Sequence, residues 1–381
     1  MGVYETLFRF AEVTHKYMGD PGTHPWAQGF PLTTQLPGGP PLPTGVELGA
    51  ADLKYPTATG QLELRRAIAA MSNQHYGTAL TEDHVALFAG GRPGICAAVA
   101  LLLPGIPVAV EETEYTPYDD MLRLLARERR LIPSNEGNRF RPSREDYAAA
   151  LPGAFLLKSN PCNPTGVAVR GDELGALVEL VRSEARGGLF DEAYELFQEP
   201  PDSALRYIGD IDATDLFVVG AATKGFQAPG IRIGWVIAAR QHIELFRNLS
   251  SIAMGGVSRP SQLYALKLLE PGRVLQARQA VPAFYGAQRA RYAKGLAALG
   301  LELFTGAGGF YHWAKLPGEL DARAWNERLF AHDAAILPGR LCDMARAPGQ
   351  PSPLDRFVRF SFGPLAADSY DRDIEILSAC L

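Results

Sequence analysis

The chain has 381 residues, 47% hydrophobic and 21% charged, and its 37 basic against 42 acidic residues give a net charge of −5. That length suits two lobes better than one small domain, the abundant Leu, Val, Ile and Phe exclude a disordered polymer, and the lack of a concentrated basic stretch argues against nucleic-acid binding. The most apolar uncharged run, residues 94–110, is broken by Pro104, Gly105 and Pro107, so it reads as a buried helix and a strand rather than a membrane span.

Residues 1–45 are rich in Pro, Gly and Thr and read as an extended arm with a short leading helix. Met1-Gly2-Val3-Tyr4-Glu5-Thr6 fits the permissive acylation pattern, but no polybasic neighbourhood supports it. Glu5 and Arg9 interrupt any apolar leader, so the cytoplasm is the expected location. From about residue 50, short apolar runs at 85–89, 108–111, 154–158, 188–190, 216–220 and 231–237 read as strands. Amphipathic helical stretches at 62–72, 118–129 and 172–184 lie between them. Strands apolar on both faces and separated by helices predict an α/β fold, a mostly parallel doubly wound sheet. A long helix at 281–299 then leads through Gly306-Ala307-Gly308-Gly309 and a strand-like 310–316 into a smaller α+β tail. The expected division is an arm at 1–45 that joins the small lobe, a large lobe at 46–275 and a small lobe at 276–381.

Several chemistries lack their signatures. There is no G-x-x-x-x-G-K-[ST] loop, no H-E-x-x-H and no G-x-S-x-G. Gly90-Gly91-Arg92-Pro93-Gly94 opens a helix after a strand, yet its spacing is not that of a dinucleotide fingerprint. Cys96, Cys162, Cys342 and Cys380 are too dispersed for a zinc site or a disulfide framework, and the seven histidines have no ligand spacing, so no metal is expected.

Unusual polar residues gather instead at the ends of the expected strands. Ser159-Asn160-Pro161-Cys162-Asn163-Pro164-Thr165-Gly166 follows one strand, and its two Asn-Pro pairs dictate a tight, turning backbone. Asp191-Glu192-Ala193-Tyr194 ends the next, Thr223-Lys224 follows another with Arg232 eight residues on, and Arg359 sits in Phe357-Val358-Arg359-Phe360-Ser361-Phe362. Ligands of a doubly wound sheet bind beyond the carboxyl ends of its strands, so these groups can converge. A lysine after an apolar run suggests a desolvated amine that can form a Schiff base. A carboxylate at a buried strand end suits a protonated heterocycle nitrogen, and two distant arginines suit two anions.

Taken together, N-P-x-N-P-T-G, D-E-x-Y, [ST]-K-x7-R-x-G and the late V-R-F-S resemble fold-type I, class I/II pyridoxal-phosphate aminotransferases from about residue 50 to the end. The resemblance implies pyridoxal 5′-phosphate as cofactor and Lys224 as its Schiff-base lysine and proton shuttle. Asp191 is similar to the aspartate paired with the ring nitrogen, and Asn163 and Tyr194 resemble the pair on the ring 3-oxygen. Thr223, Arg232 and the backbone of Gly90, Gly91 and Arg92 match the phosphate ligands, and Tyr115 matches the stacking aromatic. Tyr55 matches a tyrosine that reaches the neighbouring subunit's phosphate, which implies a homodimer, and Arg359 matches the fork on the substrate α-carboxylate.

The sequence departs from the family in two places. Ala221 stands where many relatives have a phosphate-binding serine, and Arg92 is the candidate substitute. In the arm, Gly29 matches a glycine beside the substrate, which brings His24, Trp26 and Gln28 toward the pocket mouth. There His24 is a candidate acid/base, against the plainer reading that it only packs in the arm. The expected reaction is amino transfer between an α-amino acid and a 2-oxo acid. The alternative keeps the cofactor and diverts the substrate carbanion to side-chain elimination, replacement, cyclisation or oxidation. A regulatory protein on an aminotransferase-like body lacks an appended DNA-binding domain, and a nicotinamide dehydrogenase leaves Lys224 and Asn163 unexplained.

Overall fold

A computed structural model describes residues 3–381, so the first two residues of the acylation pattern lie outside the described residues. Helix α1 (Val3–Thr14) opens the chain, and residues 15–49 cross the molecule with almost no regular structure, as a Pro- and Gly-rich arm dictates. Helix α2 (Leu62–Tyr76) ends on Gly77 in the left-handed conformation.

A seven-stranded sheet follows. Its strands are β1 (Val85–Phe88), β2 (Val108–Glu111), β3 (Arg129–Ile132), β4 (Phe155–Ser159), β5 (Gly188–Asp191), β6 (Leu216–Ala221) and β7 (Gly234–Ile237), in the order β1-β7-β6-β5-β4-β2-β3. Pairings from β3 through β6 are parallel, and β7 runs antiparallel to both β6 and β1. Helices α3 (Gly91–Ala100), α4 (Pro117–Leu124), α5 (Arg144–Ala150), α6 (Gly171–Glu184), α7 (Leu205–Ile208) and α8 (Arg240–Ala253) connect these strands or follow the last. Two buried apolar clusters, one on each face, hold the sheet: Leu87, Ala109, Leu156 and Phe190 belong to one, and Phe88, Val110, Leu157 and Leu189 to the other. Alternating residues of one strand thus face opposite cores, which is the doubly wound arrangement.

Helices α9 (Arg259–Leu268) and α10 (Pro271–Ala298) lead to a second sheet. Its strands β8 (Glu302–Leu303), β9 (Tyr311–Lys315), β10 (Leu337–Pro338) and β11 (Phe357–Ser361) pair antiparallel in the order β10-β11-β9-β8. Helices α11 (Ala322–Phe330) and α12 (Tyr370–Cys380) accompany it. Helix α1 belongs to this side, with Phe10 against Phe330 and Arg9 on Glu327.

The structure differs from the sequence reading at three elements. Strand β3 was not expected, because the stretch 118–129 reads as one amphipathic helix; α4 stops at Leu124 and Ala126 turns through a positive φ of 51°. The expected strand at 231–237 begins only at Gly234, since Pro229–Ile231 forms a 3-10 turn and Arg232 has φ 56°. The long helix starts ten residues earlier than expected, at Pro271, and carries Pro282 inside it.

Candidate active site

A cavity of about 280 Å³ opens beyond the carboxyl ends of β4, β5 and β6, where the loops after these strands meet α1, α3, the arm, β9 and β11. Parallel strands end together there, so residues distant in sequence share one wall.

One end of the cavity is built for an anion. The chain turns from β1 into α3 at Gly90, with φ 99°, and a Cβ at that position would overlap the Arg232 guanidinium. The Gly90 amide donates back to the Phe88 carbonyl (2.8 Å), which leaves the amides of Gly91 and Arg92 as donors at the helix start. Arg232 is held by the carbonyls of Ala89 and Pro229, both at 3.0 Å, and Thr223 also lines the cavity. The left-handed turn at Arg232 is what points its chain back across the sheet toward Ala89.

The middle carries a buried acid and aromatic walls. Asp191, the last residue of β5, accepts from the Tyr118 hydroxyl (2.9 Å) and the Ala193 amide (3.1 Å). Burial raises its carboxyl pKa, and these hydrogen bonds hold it against that rise. Neither hydrogen-bond partner is a cation; the charge of Lys224 also lowers the carboxyl pKa, and the acid lines the cavity, where it can pair with a positively charged group. Tyr115 packs edge-on to Tyr118, with ring centroids 5.3 Å apart, and lines the cavity with Arg92. Tyr4, from α1, lies beside the Arg92 guanidinium.

Lys224 marks the other end, in the loop after β6. Burial, then the positive charges of Arg359 and Arg92, push its ammonium down to about 7. Its amine donates to the Gly29 carbonyl and faces the rings of Tyr194 and Phe310 at 5.6 and 5.7 Å. Arg359, on β11, donates to Asn163 Oδ1 (2.9 Å) and to the Ala27 carbonyl (2.7 Å), and its buried Nε has no partner among the described residues. The loop that carries Asn163 is pinned by two Asn160–Val169 hydrogen bonds at 2.9 Å and docks on Gly306 and Gly308 through bonds of 2.8 Å. Two arm carbonyls thus hold the two cations.

Of the residues expected from sequence, Lys224, Asp191, Tyr194, Asn163, Thr223, Arg232, Arg359, Tyr115, Gly91, Arg92 and Gly29 line this cavity, with Gly90 at its edge. His24 and Trp26 do not. The His24 ring lies 2.9 Å from Asp373, which also accepts from Tyr292 (2.6 Å) and Ser369 (2.9 Å). Trp26 is fully buried between His24 and Phe360. Tyr55 is 98% exposed and away from its own chain's cavity. Sequence reasoning missed Tyr4, Leu7, Phe30, Tyr118 and Tyr311. Only Tyr118 left a signal, as a second tyrosine three residues after Tyr115 and just inside the start of α4.

The parts match what pyridoxal 5′-phosphate requires: an anion cradle, a buried acid for a ring nitrogen, an aromatic wall and an amine whose ammonium is lowered to about 7. Among the described residues no group of His, Cys, Asp and Glu is arranged to hold a metal ion, and no helix is long and apolar enough to cross a membrane.

The sequence model described as aminotransferase class I and II matches residues 46–368. Valine–pyruvate aminotransferase of Mycobacterium tuberculosis is 27% identical over 344 residues, covering 87% of this chain and 85% of that protein. The probable aspartate/prephenate aminotransferase of Thermus aquaticus is 28% identical over 307 residues, 77% of each chain. The structure of Thermus thermophilus aspartate aminotransferase with maleate superimposes with a TM-score of 0.80 at 23% identity, covering 100% of this chain and 97% of that one. That likeness shows the fold.

Proposed function

The chain belongs to the class I and II aminotransferases, and on that premise we propose that it transfers an amino group between an α-amino acid and a 2-oxo acid with pyridoxal 5′-phosphate bound at Lys224. The observation that carries the reading is the Lys224 amine, brought to about 7 and facing the same cavity as the buried acid Asp191. An ordinary lysine at neutral pH is almost entirely protonated, whereas this one is half available as a nucleophile.

The bound cofactor supplies an electrophilic carbon for an amine and a conjugated ring that spreads the electron pair left at the substrate α-carbon. The chain's residues do the rest. Gly91 and Arg92 amides, Thr223 and Arg232 hold the phosphate, and Tyr115 covers the ring. Asp191, steadied by Tyr118, keeps a proton on the ring nitrogen. Asn163 and Tyr194 hydrogen-bond the ring oxygen. Arg359 takes the substrate α-carboxylate with its forked guanidinium, which turns the α-carbon toward Lys224. The Lys224 amine would take the α-proton and deliver it to the cofactor carbon that receives the amino group. Tyr4, Leu7 and Phe30 add the arm's and α1's share of the cavity wall.

We further infer two lobes, 46–275 and 276–381 with the arm 1–45 joining the latter, and a homodimer in which Tyr55 completes the partner's phosphate site. The exposure of Leu53 (79%), Tyr55 and Ile252 (86%) supports such an interface, since apolar side chains this open favour a covering partner. Purified protein supplied with the cofactor should absorb near about 410–430 nm, and borohydride or Lys224→Ala should abolish the band. A panel of amino acids should convert the bound cofactor to its aminated form. Release of a side-chain fragment without amino transfer would overturn the proposal.

A further inference from the structure

We propose that Tyr311 is a positioning residue that fixes, through one side chain, both the phenol of Tyr194 and the guanidinium of Arg359. The inference rests on the cofactor reading above and deepens it.

Tyr311 is the first residue of β9 and pairs with Ser361 of β11, two residues beyond Arg359. It is 1% exposed, yet its side chain forms part of the cavity wall. Three contacts meet on it. The Arg359 guanidinium carbon lies 4.3 Å from the centre of its ring, close enough for a cation–π attraction that steadies a charged fork. Its hydroxyl lies 2.5 Å from the Tyr194 hydroxyl, its one hydrogen-bond partner among the described residues. The third contact is with the arm. A Cβ at Gly29 would overlap the Tyr311 hydroxyl, so glycine is required for the arm to bring its carbonyl to Lys224.

The hydroxyl pair has a direction once an acceptor occupies the cavity. Each phenol owns one proton. Tyr194 gives its own to the anionic ring oxygen, and Tyr311 donates to Tyr194 behind it. A donor that itself accepts a hydrogen bond is strengthened, so Tyr311 makes Tyr194 a firmer partner for an anion. The ring and the hydroxyl therefore act on different things: the ring on carboxylate binding, the hydroxyl on the charge of the cofactor oxygen.

Tyr311→Phe and Tyr311→Leu separate the two. The probes are the pH midpoint of the visible band of the cofactor-loaded protein and the dissociation constant of propionate, a carboxylic acid with no amino group to transfer. Tyr311→Phe should raise the midpoint by about 0.5 pH unit, because a weakened Tyr194 stabilises the unprotonated form less, and should leave propionate binding within about twofold. Tyr311→Leu should show the same shift and bind propionate about 3- to 30-fold more weakly. A midpoint unmoved in Tyr311→Phe, or propionate binding unmoved in Tyr311→Leu, overturns the proposal. A parent protein that forms no visible band at all overturns the cofactor reading first, so the two failures look different.

Discussion

Replacing Lys224 by methionine should make the cofactor-free protein more stable at pH 6 and remove that advantage at pH 10. The ammonium falls from 10.5 to about 7 on folding. At 1.36 kcal/mol per unit this corresponds to about 5 kcal/mol, and water reaching the amine through the cavity brings it nearer 3 kcal/mol. Below pH 7 the folded chain carries the buried charge and bears the whole penalty. Between pH 7 and 10.5 the unfolded chain binds a proton that the folded chain has released, so the parent gains stability as the pH rises through that window. Methionine bears no such penalty. The Gly29 carbonyl, left without its donor, costs the variant about 1 kcal/mol at every pH. At about 2.1 cal/mol/K of unfolding entropy per residue over 381 residues, the remaining 2–4 kcal/mol amounts to about 3–5 °C in Tm. Thermal melts of both cofactor-free proteins at pH 6 and pH 10 measure it. A difference in Tm that is the same at both pH values would refute the argument that burial and neighbouring cations depress this amine.

Gly29→Ala should lower kcat/KM by about 100-fold or more, because the new methyl must displace Tyr311 or the arm and so misplace Lys224 and Arg359 together; steady-state kinetics within tenfold of the parent would count against the close packing. Glu111→Gln should cost about 3–5 kcal/mol, since it leaves Lys158, 1% exposed, as an uncompensated buried charge. Urea denaturation measures that loss, and one below about 1 kcal/mol would contradict the buried ion pair.

Much of the site was legible because its chemistry sits in short runs punctuated by rigid residues. Asn160-Pro161 and Asn163-Pro164 restrict the backbone so strongly that a loop at a strand end was the natural reading. Asp191 and Lys224 stood out as charges next to apolar runs. Strand β3 was hidden for the opposite reason. Arg129 and Arg130 look like a solvated helix end, whereas Arg129 reaches Asp119 and the Met344 carbonyl, and Arg130 reaches the Ala150 carbonyl (2.9 Å) and the Pro152 carbonyl (2.7 Å). Partners 10 to 215 residues away take up their hydrogen bonds, and no local pattern records such contacts. Tyr4 and Tyr311 were illegible on the same grounds, since each joins the cavity only through packing of α1 and β9. His24 shows the limit from the other side: its neighbours in sequence pointed to the mouth, but a buried aspartate 349 residues away holds its ring.

The carbonyls of Ala27 and Gly29 flank Gln28, itself a residue of the cavity wall. Every amino acid presents the same nitrogen and the same α-carboxylate, and the cations proposed to meet them, Lys224 and Arg359, are anchored on main-chain oxygens, which mutation at residue 28 does not remove. In the proposed function the invariant half of a substrate would be met by cations held on this tripeptide, and the variable half would lie near its central residue. Such a tripeptide lets selectivity drift by exchange of its central side chain while the reacting atoms keep their alignment.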